Sequence, residues 1–213
     1  EDGVANKIIN GGTDWVYEEE FAIAKAFFWS PDGKKIAFLR FDETTVKEFS
    51  MTYYNNELYP DYTSFKYPKA GEKNANVSVH IYDLSTKKIE KVDVGREADQ
   101  YIPRLVWSPN NELCVYRLNR HQNELTILIV DKKGKVKTML EEKNEYFIDI
   151  NDHMKFVSKN EFIWLSEKDG YNHVYLYNTK GKEVAQLTKG EWDVTDFYGV
   201  DIKNKKIYYQ AAA

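Results

Sequence analysis

The chain is poor in residues that cross-link or interrupt a fold, with one cysteine, five prolines and 11 glycines among 213 residues. A lone cysteine cannot form an intrachain disulfide, and Cys114 lies in the apolar run 113–116, which indicates a buried, unreactive thiol. No apolar run is long enough to span a bilayer, and no signal-peptide pattern follows Glu1, so any signal peptide would lie outside this segment. The formal net charge of −4 and the lack of a dense Lys/Arg block argue against a nucleic-acid surface.

The sequence also lacks the common signatures of catalysis. There is no Gly-x-Ser-x-Gly elbow, no His-Glu-x-x-His, no phosphate-binding glycine loop and no cysteine cluster. The four histidines are scattered, at His80, His121, His153 and His173. Scattered histidines are most often solvated or hydrogen-bonded, so we predict no metal and no cofactor. No nucleophile–base pair is recognisable, and we predict that this chain alone has no catalytic residues and no activity.

What the chain does contain is an aromatic-rich internal repeat. Aromatic residues make up 15% of the chain and favour strands, because flat rings suit a pleated, half-buried surface. An apolar run, a polar turn and a second apolar run recur at residues 28–38, 106–116, 156–164 and 200–209. A second hairpin-like element recurs at 79–92, 126–136 and 174–184. Its equivalent residues Tyr82, Val130 and Tyr177 are spaced by 48 and then 47 residues.

Two hairpins per repeat make a four-stranded sheet, and radial repetition of such sheets is the β-propeller. We therefore predict an all-β fold: a β-propeller fragment of about three four-stranded antiparallel blades plus part of a fourth, with further blades on both sides. The predicted segments are a short helix or turn at 1–20, blades at 21–95, 100–142 and 146–192, and the start of another blade at 194–213. The first blade carries an insertion at 42–76, either a binding element or a packed loop.

The run Glu18-Glu19-Glu20 follows an apolar-aromatic stretch and allows two interpretations. Charged residues are mostly exposed, so the run is typical of a solvated surface. Alternatively, two neighbouring carboxylates form a cation clamp. Paired carboxylates repel each other, and a bound ammonium with three N–H donors would relieve that repulsion.

Several segments together resemble a known family. They are 12–20 (GTDWVYEEE), 28–33 (FWSPDG), 67–77 (YPKAGEKNANV), 167–174 (EKDGYNHV) and 187–194 (LTKGEWDV). In this order they resemble dipeptidyl peptidase IV, a branch of the prolyl oligopeptidase family of serine peptidases. The similarity covers essentially the whole chain, and the lysine-rich, cysteine-poor composition is typical of a bacterial member.

The resemblance implies an eight-bladed propeller joined to an α/β-hydrolase domain, which carries the catalytic triad and is absent from this chain. It implies release of X-Pro or X-Ala dipeptides from peptide N-termini. By motif position, Glu19 and Glu20 would bind the α-ammonium of the substrate, with Glu18 as the solvated member of the run.

The implied partners are peptide substrates with a free N-terminus and Pro or Ala in second position, the protein's own hydrolase domain, and a second copy in a full-length homodimer. The resemblance places the dimer hairpin near residues 77–95 and the protein in the periplasm, at the cell surface or outside the cell. The alternative is a non-enzymatic scaffold propeller that binds protein partners, because a fold alone does not imply a function.

Overall fold

A computed structural model describes residues 2–212 and separates them into two compact units, the first ending at Leu105 and the second beginning at Val106. The elements of the first unit are β1 (Ile8–Asn10), α1 (Trp15–Phe21), β2 (Phe27–Trp29), β3 (Lys35–Asp42), β4 (Glu48–Tyr53), β5 (Asp61–Lys66), β6 (Asn76–Asp83), β7 (Lys88–Lys91) and β8 (Gln100–Tyr101). They are followed by β9 (Leu105–Trp107), β10 (Leu113–Asn119), β11 (Glu124–Val130), β12 (Val136–Lys143), β13 (Lys155–Phe156), β14 (Glu161–Ser166), β15 (His173–Asn178), β16 (Glu183–Gln186), β17 (Asp193–Asp201) and β18 (Lys206–Ala212). Antiparallel sheets and one seven-residue helix within residues 2–212 confirm the all-β prediction.

The first unit is built on an antiparallel sheet with the order β1-β3-β6-β7, in which β2 also pairs with β3. Strands β1 and β2 follow one another along the same neighbour: Ile9 pairs with Phe41, and Phe28 pairs with Ala37. The segment between β1 and β2 contains α1, so both ends of this segment are anchored to β3 of the sheet. Strand β1 lies before residue 21, the start of the blade expected from the sequence. The sequence did not predict this strand because three residues show too little alternation to be recognised.

The turn between β2 and β3 follows the chemistry of its sequence. Gly33 has a φ of 67° and donates its N–H to the carbonyl of Ser30 at 2.9 Å. The Ser30 hydroxyl donates to the Asp32 carboxylate at 2.7 Å. In the corresponding turn of the next repeat, Asn111 has a φ of 57°. Both positions need the left-handed backbone region that Gly and Asn tolerate best, which is why these residue types stand there.

The insertion forms a hairpin of its own. Strands β4 and β5 pair from Glu48 opposite Lys66 to Tyr53 opposite Asp61, in a two-stranded sheet separate from the blade. Large apolar side chains near its tip are exposed, including Leu58 at 93%. This inserted hairpin, β4–β5, accounts for the extra length of the first repeat.

The second unit contains three sheets. Strands β10, β11 and β12 pair antiparallel with β9 beside β10, β13 to β16 pair in sequence order, and β17 pairs with β18. The first two sheets meet through Trp164, whose ring lies 5.7 Å from that of Tyr116 and whose Nε1 donates to Glu142 at 2.7 Å. A buried apolar cluster joins the second sheet to β17; it comprises Ile163, Leu165, Val174, Val194 and Phe197.

Two sequence-based expectations concern the reactivity of Cys114 and the presence of a membrane-spanning helix. Cys114 is fully buried in β10, and burial raises the pKa of its thiol to about 12, in agreement with the predicted inert cysteine. In the described part of the chain, no helix has both the length and the apolar character needed to cross a membrane.

Candidate functional site

Helix α1 carries the acidic run and has defined ends. The carboxylate of Asp14 accepts the backbone N–H of Tyr17 at 3.0 Å, which is the N-cap interaction expected of an aspartate. At the other end, Ala22 adopts a φ of 53°, and its N–H donates to the Tyr17 carbonyl. The helix therefore begins and ends through local hydrogen bonds, and its two turns place each side chain in a set direction.

The inner face of α1 is anchored by Tyr17, which is 1% exposed. Its ring makes edge contacts with Phe41 at 4.8 Å and with Phe21 at 5.2 Å. Its hydroxyl accepts the backbone N–H of Ile102 at 2.7 Å. Burial raises the pKa of this phenol well above its ordinary value, so Tyr17 stays neutral and serves as a hydrogen-bonded core residue.

The outer face presents the three carboxylates. Glu18, Glu19 and Glu20 are all exposed, and within residues 2–212 none of them forms a hydrogen bond or an ion pair with another side chain. Glu19 and Glu20 lie in the last turn of the helix, which contains no basic residue. The exposure is compatible with both sequence interpretations.

The position of these carboxylates is electrostatically unfavourable. The C-terminal end of a helix carries a partial negative charge, so acidic side chains there are destabilising. One guanidinium approaches this end: Arg104 Nη1 donates to the Phe21 carbonyl at 2.9 Å. Arg104 compensates the last carbonyl, whereas the carboxylates of Glu19 and Glu20 remain open to an added cation.

Two further carboxylates are buried, Asp14 at the start of α1 and Glu43 just after β3, and sequence patterns did not single them out. Asp14 is 7% exposed and Glu43 is 6% exposed. Burial raises the pKa of Asp14 to about 6. Burial and then the charge of Asp14 raise the pKa of Glu43, while the ammonium of Lys66 acts in the opposite direction. Isolated acids in the sequence give no sign of such burial.

The start of α1 contacts the base of the inserted hairpin. The rings of Trp15 and Tyr67 lie 4.2 Å apart, at an interplanar angle of 49°. Tyr67 in turn contacts Phe49 at 5.6 Å and Phe65 at 6.0 Å, and the ammonium of Lys69 lies 4.3 Å from the centre of the Phe49 ring. We call Phe49, Phe65, Tyr67 and Lys69 the hairpin base. The contact of Trp15 with this base joins two motifs, 12–20 and 67–77, that are far apart in the sequence.

Comparison with known proteins identifies the family of this chain. The sequence profile of the dipeptidyl peptidase IV (DPP IV) N-terminal region matches residues 1–213. The chain belongs to this family. It is similar to dipeptidyl peptidase 4 of Trichophyton equinum (34% identity over 218 residues, covering 95% of this chain and 28% of the relative) and to that of Arthroderma otae (34% over 216 residues, 94% and 28%).

Among solved structures, the dipeptidyl peptidase IV N-terminal region described here is similar to Porphyromonas gingivalis dipeptidyl peptidase 4. The TM-score is 0.94 at 42% identity, and the match covers 100% of this chain and 31% of that one. The prediction of a dipeptidyl peptidase IV propeller fragment is thereby confirmed. The chain spans less than a third of the length of each of these relatives.

The two later motifs of this DPP IV N-terminal region meet at a buried corner. His173 is fully buried; its Nδ1 lies 3.1 Å from the Thr188 hydroxyl, and its Nε2 lies 3.0 Å from the Gly190 carbonyl. A carbonyl only accepts, so Nε2 donates to Gly190, while Nδ1 pairs with the Thr188 hydroxyl. The Trp192 ring packs edge-on against the imidazole at 5.0 Å. His173 is thus a hydrogen-bonded structural histidine, as expected for the histidines of this chain.

Proposed function

We propose that this chain is the substrate-selecting propeller portion of a serine exopeptidase that releases X-Pro or X-Ala dipeptides from peptide N-termini. In this proposal Glu19 and Glu20 bind the α-ammonium of the substrate. The observation that supports it most is the pair of exposed, unpartnered carboxylates in the last turn of α1, within residues 2–212 of a dipeptidyl peptidase IV family chain.

The charge balance supports a cationic ligand at this position. A peptide α-amino group has an unperturbed pKa of about 7.7–8.0, so it is mostly protonated at neutral pH. Its three N–H donors match carboxylate acceptors, and its positive charge complements both the acidic run and the negative end of the helix. A positive ligand therefore removes the repulsion that the empty site carries.

The anchoring role also explains what would determine the length of the released product. If the α-ammonium is held at a fixed point, the scissile bond lies a fixed distance along the substrate, and the product is a dipeptide. The nucleophile and the triad belong to the hydrolase domain of the full-length enzyme, and the chain described here is inactive by itself. A preparation of residues 1–213 should therefore fail to cleave a dipeptidyl chromogenic substrate.

Substitutions in the full-length enzyme test the assignment. A hydrogen bond to a charged group contributes about 1.5–3 kcal/mol, so Glu19→Ala or Glu20→Ala should lower kcat/KM for a free-amine Gly-Pro anilide by roughly 10- to 100-fold. Glu18→Ala is the matched control from the same acidic run and should change kcat/KM far less. All three side chains are exposed, so unfolding temperatures should stay close to the wild-type value.

An N-acetylated substrate lacks the positive charge. In the wild type, its kcat/KM should be lower than that of the free-amine substrate by about the same factor as the glutamate substitutions lower kcat/KM for the free-amine substrate. Wild-type kcat/KM in both Glu19→Ala and Glu20→Ala would contradict the clamp and leave the run as a solvated surface. Full-length protein that cleaves no peptide but captures a folded protein partner would favour the scaffold alternative.

The full-length protein is further proposed to be a homodimer located in the periplasm, at the cell surface or outside the cell of a bacterium. The β6–β7 hairpin, where the resemblance places the dimer contact, exposes Leu84 and Ile89 at 37% and 55%. The inserted hairpin exposes large apolar side chains more fully, among them Leu58 at 93% and Tyr59 at 85%. Light scattering of full-length Leu58→Glu and Ile89→Glu variants would distinguish the two hairpins as the site of association.

A further inference from the structure

We infer that Tyr67 is a positioning residue for the Glu19–Glu20 pair and acts through Trp15, so that the inserted hairpin helps to set where the carboxylates lie. This inference rests on the proposed function, since it concerns how the same two carboxylates are held. It assigns a role to the base of the insertion that neither the repeat pattern nor the acidic run indicates.

The glutamates depend on the backbone of α1 for their position. Within residues 2–212 neither Glu19 nor Glu20 has a side-chain partner that would hold it in place. Isolated helices shorter than about 12–15 residues are marginal in water, and α1 has seven. The direction of both carboxylates is therefore set by the contacts that dock this short helix.

One of those contacts lies on the same side of the helix as Glu19. Residues four apart in a helix are neighbours on one face, so Trp15 stands one turn before Glu19. The Trp15 ring packs against Tyr67 at 4.2 Å, while the opposite face is docked through the buried ring of Tyr17. The helix is held between the blade on one side and the hairpin base on the other.

Tyr67 is itself well fixed by the hairpin. Its backbone N–H donates to the carbonyl of Lys47 at 3.0 Å. Its ring packs against Phe49 and Phe65, which pair across β4 and β5, and the Lys69 ammonium lies 5.4 Å from the centre of the Tyr67 ring. The paired strands thus give Tyr67 a rigid support against which Trp15 can rest.

The test compares variants of the full-length enzyme. An aromatic pair contributes about 0.5–1.5 kcal/mol beyond its area, so Tyr67→Ala should lower kcat/KM for a free-amine Gly-Pro anilide by about 2- to 10-fold. Tyr67→Phe keeps the ring and should restore the wild-type value. Tyr62→Ala removes a tyrosine from strand β5 of the same hairpin, where its side chain is 70% exposed, and should leave kcat/KM unchanged.

Two further readouts separate positioning from general damage. Turnover of the N-acetylated substrate should be the same in Tyr67→Ala and in the wild type, and adding Tyr67→Ala to the Glu19→Ala/Glu20→Ala enzyme should cause no further loss. Unchanged free-amine kcat/KM in Tyr67→Ala, or an equal loss for both substrates, would overturn the inference. If the glutamate variants themselves keep full activity, the proposed function fails first, whatever Tyr67→Ala does.

Discussion

The buried cap of the acidic helix leads to a pH-dependent prediction for Asp14→Asn. Asparagine caps a helix about as well as aspartate, so the substitution keeps an acceptor for the Tyr17 N–H while it removes the charge. Asp14 is 7% exposed, and burial raises its pKa above the ordinary range of an aspartate, to about 6. The variant therefore isolates the free-energy cost of a buried carboxylate at the start of α1.

The sign and size follow from linkage. A folded-state pKa above the unfolded value means that the folded state prefers the protonated acid. The contribution of Asp14 to the free energy of unfolding is therefore fully present below about pH 4 and is lost as pH rises to about 6. A shift of about two pKa units corresponds to roughly 3 kcal/mol at 1.36 kcal/mol per unit. Asp14→Asn should thus match the wild type near pH 4 and be more stable by up to about 3 kcal/mol at pH 7.

Urea unfolding at pH 4, 5, 6 and 7, followed by tryptophan fluorescence, measures this difference. Asp14→Ala serves as the cap control: it lacks the acceptor for Tyr17 and should be about 1 kcal/mol less stable than Asp14→Asn at every pH. Glu43→Gln should reproduce part of the pH dependence, because the pKa of Glu43 is also raised, first by burial and then by Asp14. A stability difference between Asp14→Asn and wild type that does not change between pH 4 and pH 7 would refute the reasoning.

Two other predictions concern buried groups. Tyr17→Phe removes the acceptor of the Ile102 N–H and leaves a buried donor unpaired, so unfolding free energy should fall by about 1–3 kcal/mol; a loss below the measurement error would mean that water replaces the hydroxyl. The thiol of Cys114, with a pKa raised by burial to about 12, should react with a disulfide reagent at pH 8 only as fast as the protein opens, and rapid labelling of native protein would contradict its burial.

The local features of the fold were readable in the sequence because they depend on neighbouring residues. Strand alternation and turn chemistry act over a few positions, so Ser30-Pro31-Asp32-Gly33 specified its own turn, and the constant spacing of the repeats specified the sheets. The family also followed from short ordered motifs, and the all-β architecture needed no further information.

Only the tertiary structure decided what supports the acidic helix. Tyr17 meets Ile102 across 85 residues, and Trp15 meets Tyr67 at the base of a hairpin that the sequence marked only as an insertion. Burial of Asp14 likewise depends on the chain that folds over it, and an aspartate in a sequence looks the same whether it is solvated or enclosed. Side-chain periodicity reports which face of one element is apolar, but it carries no information about which distant residue will cover that face, so these contacts had to be read from the folded chain.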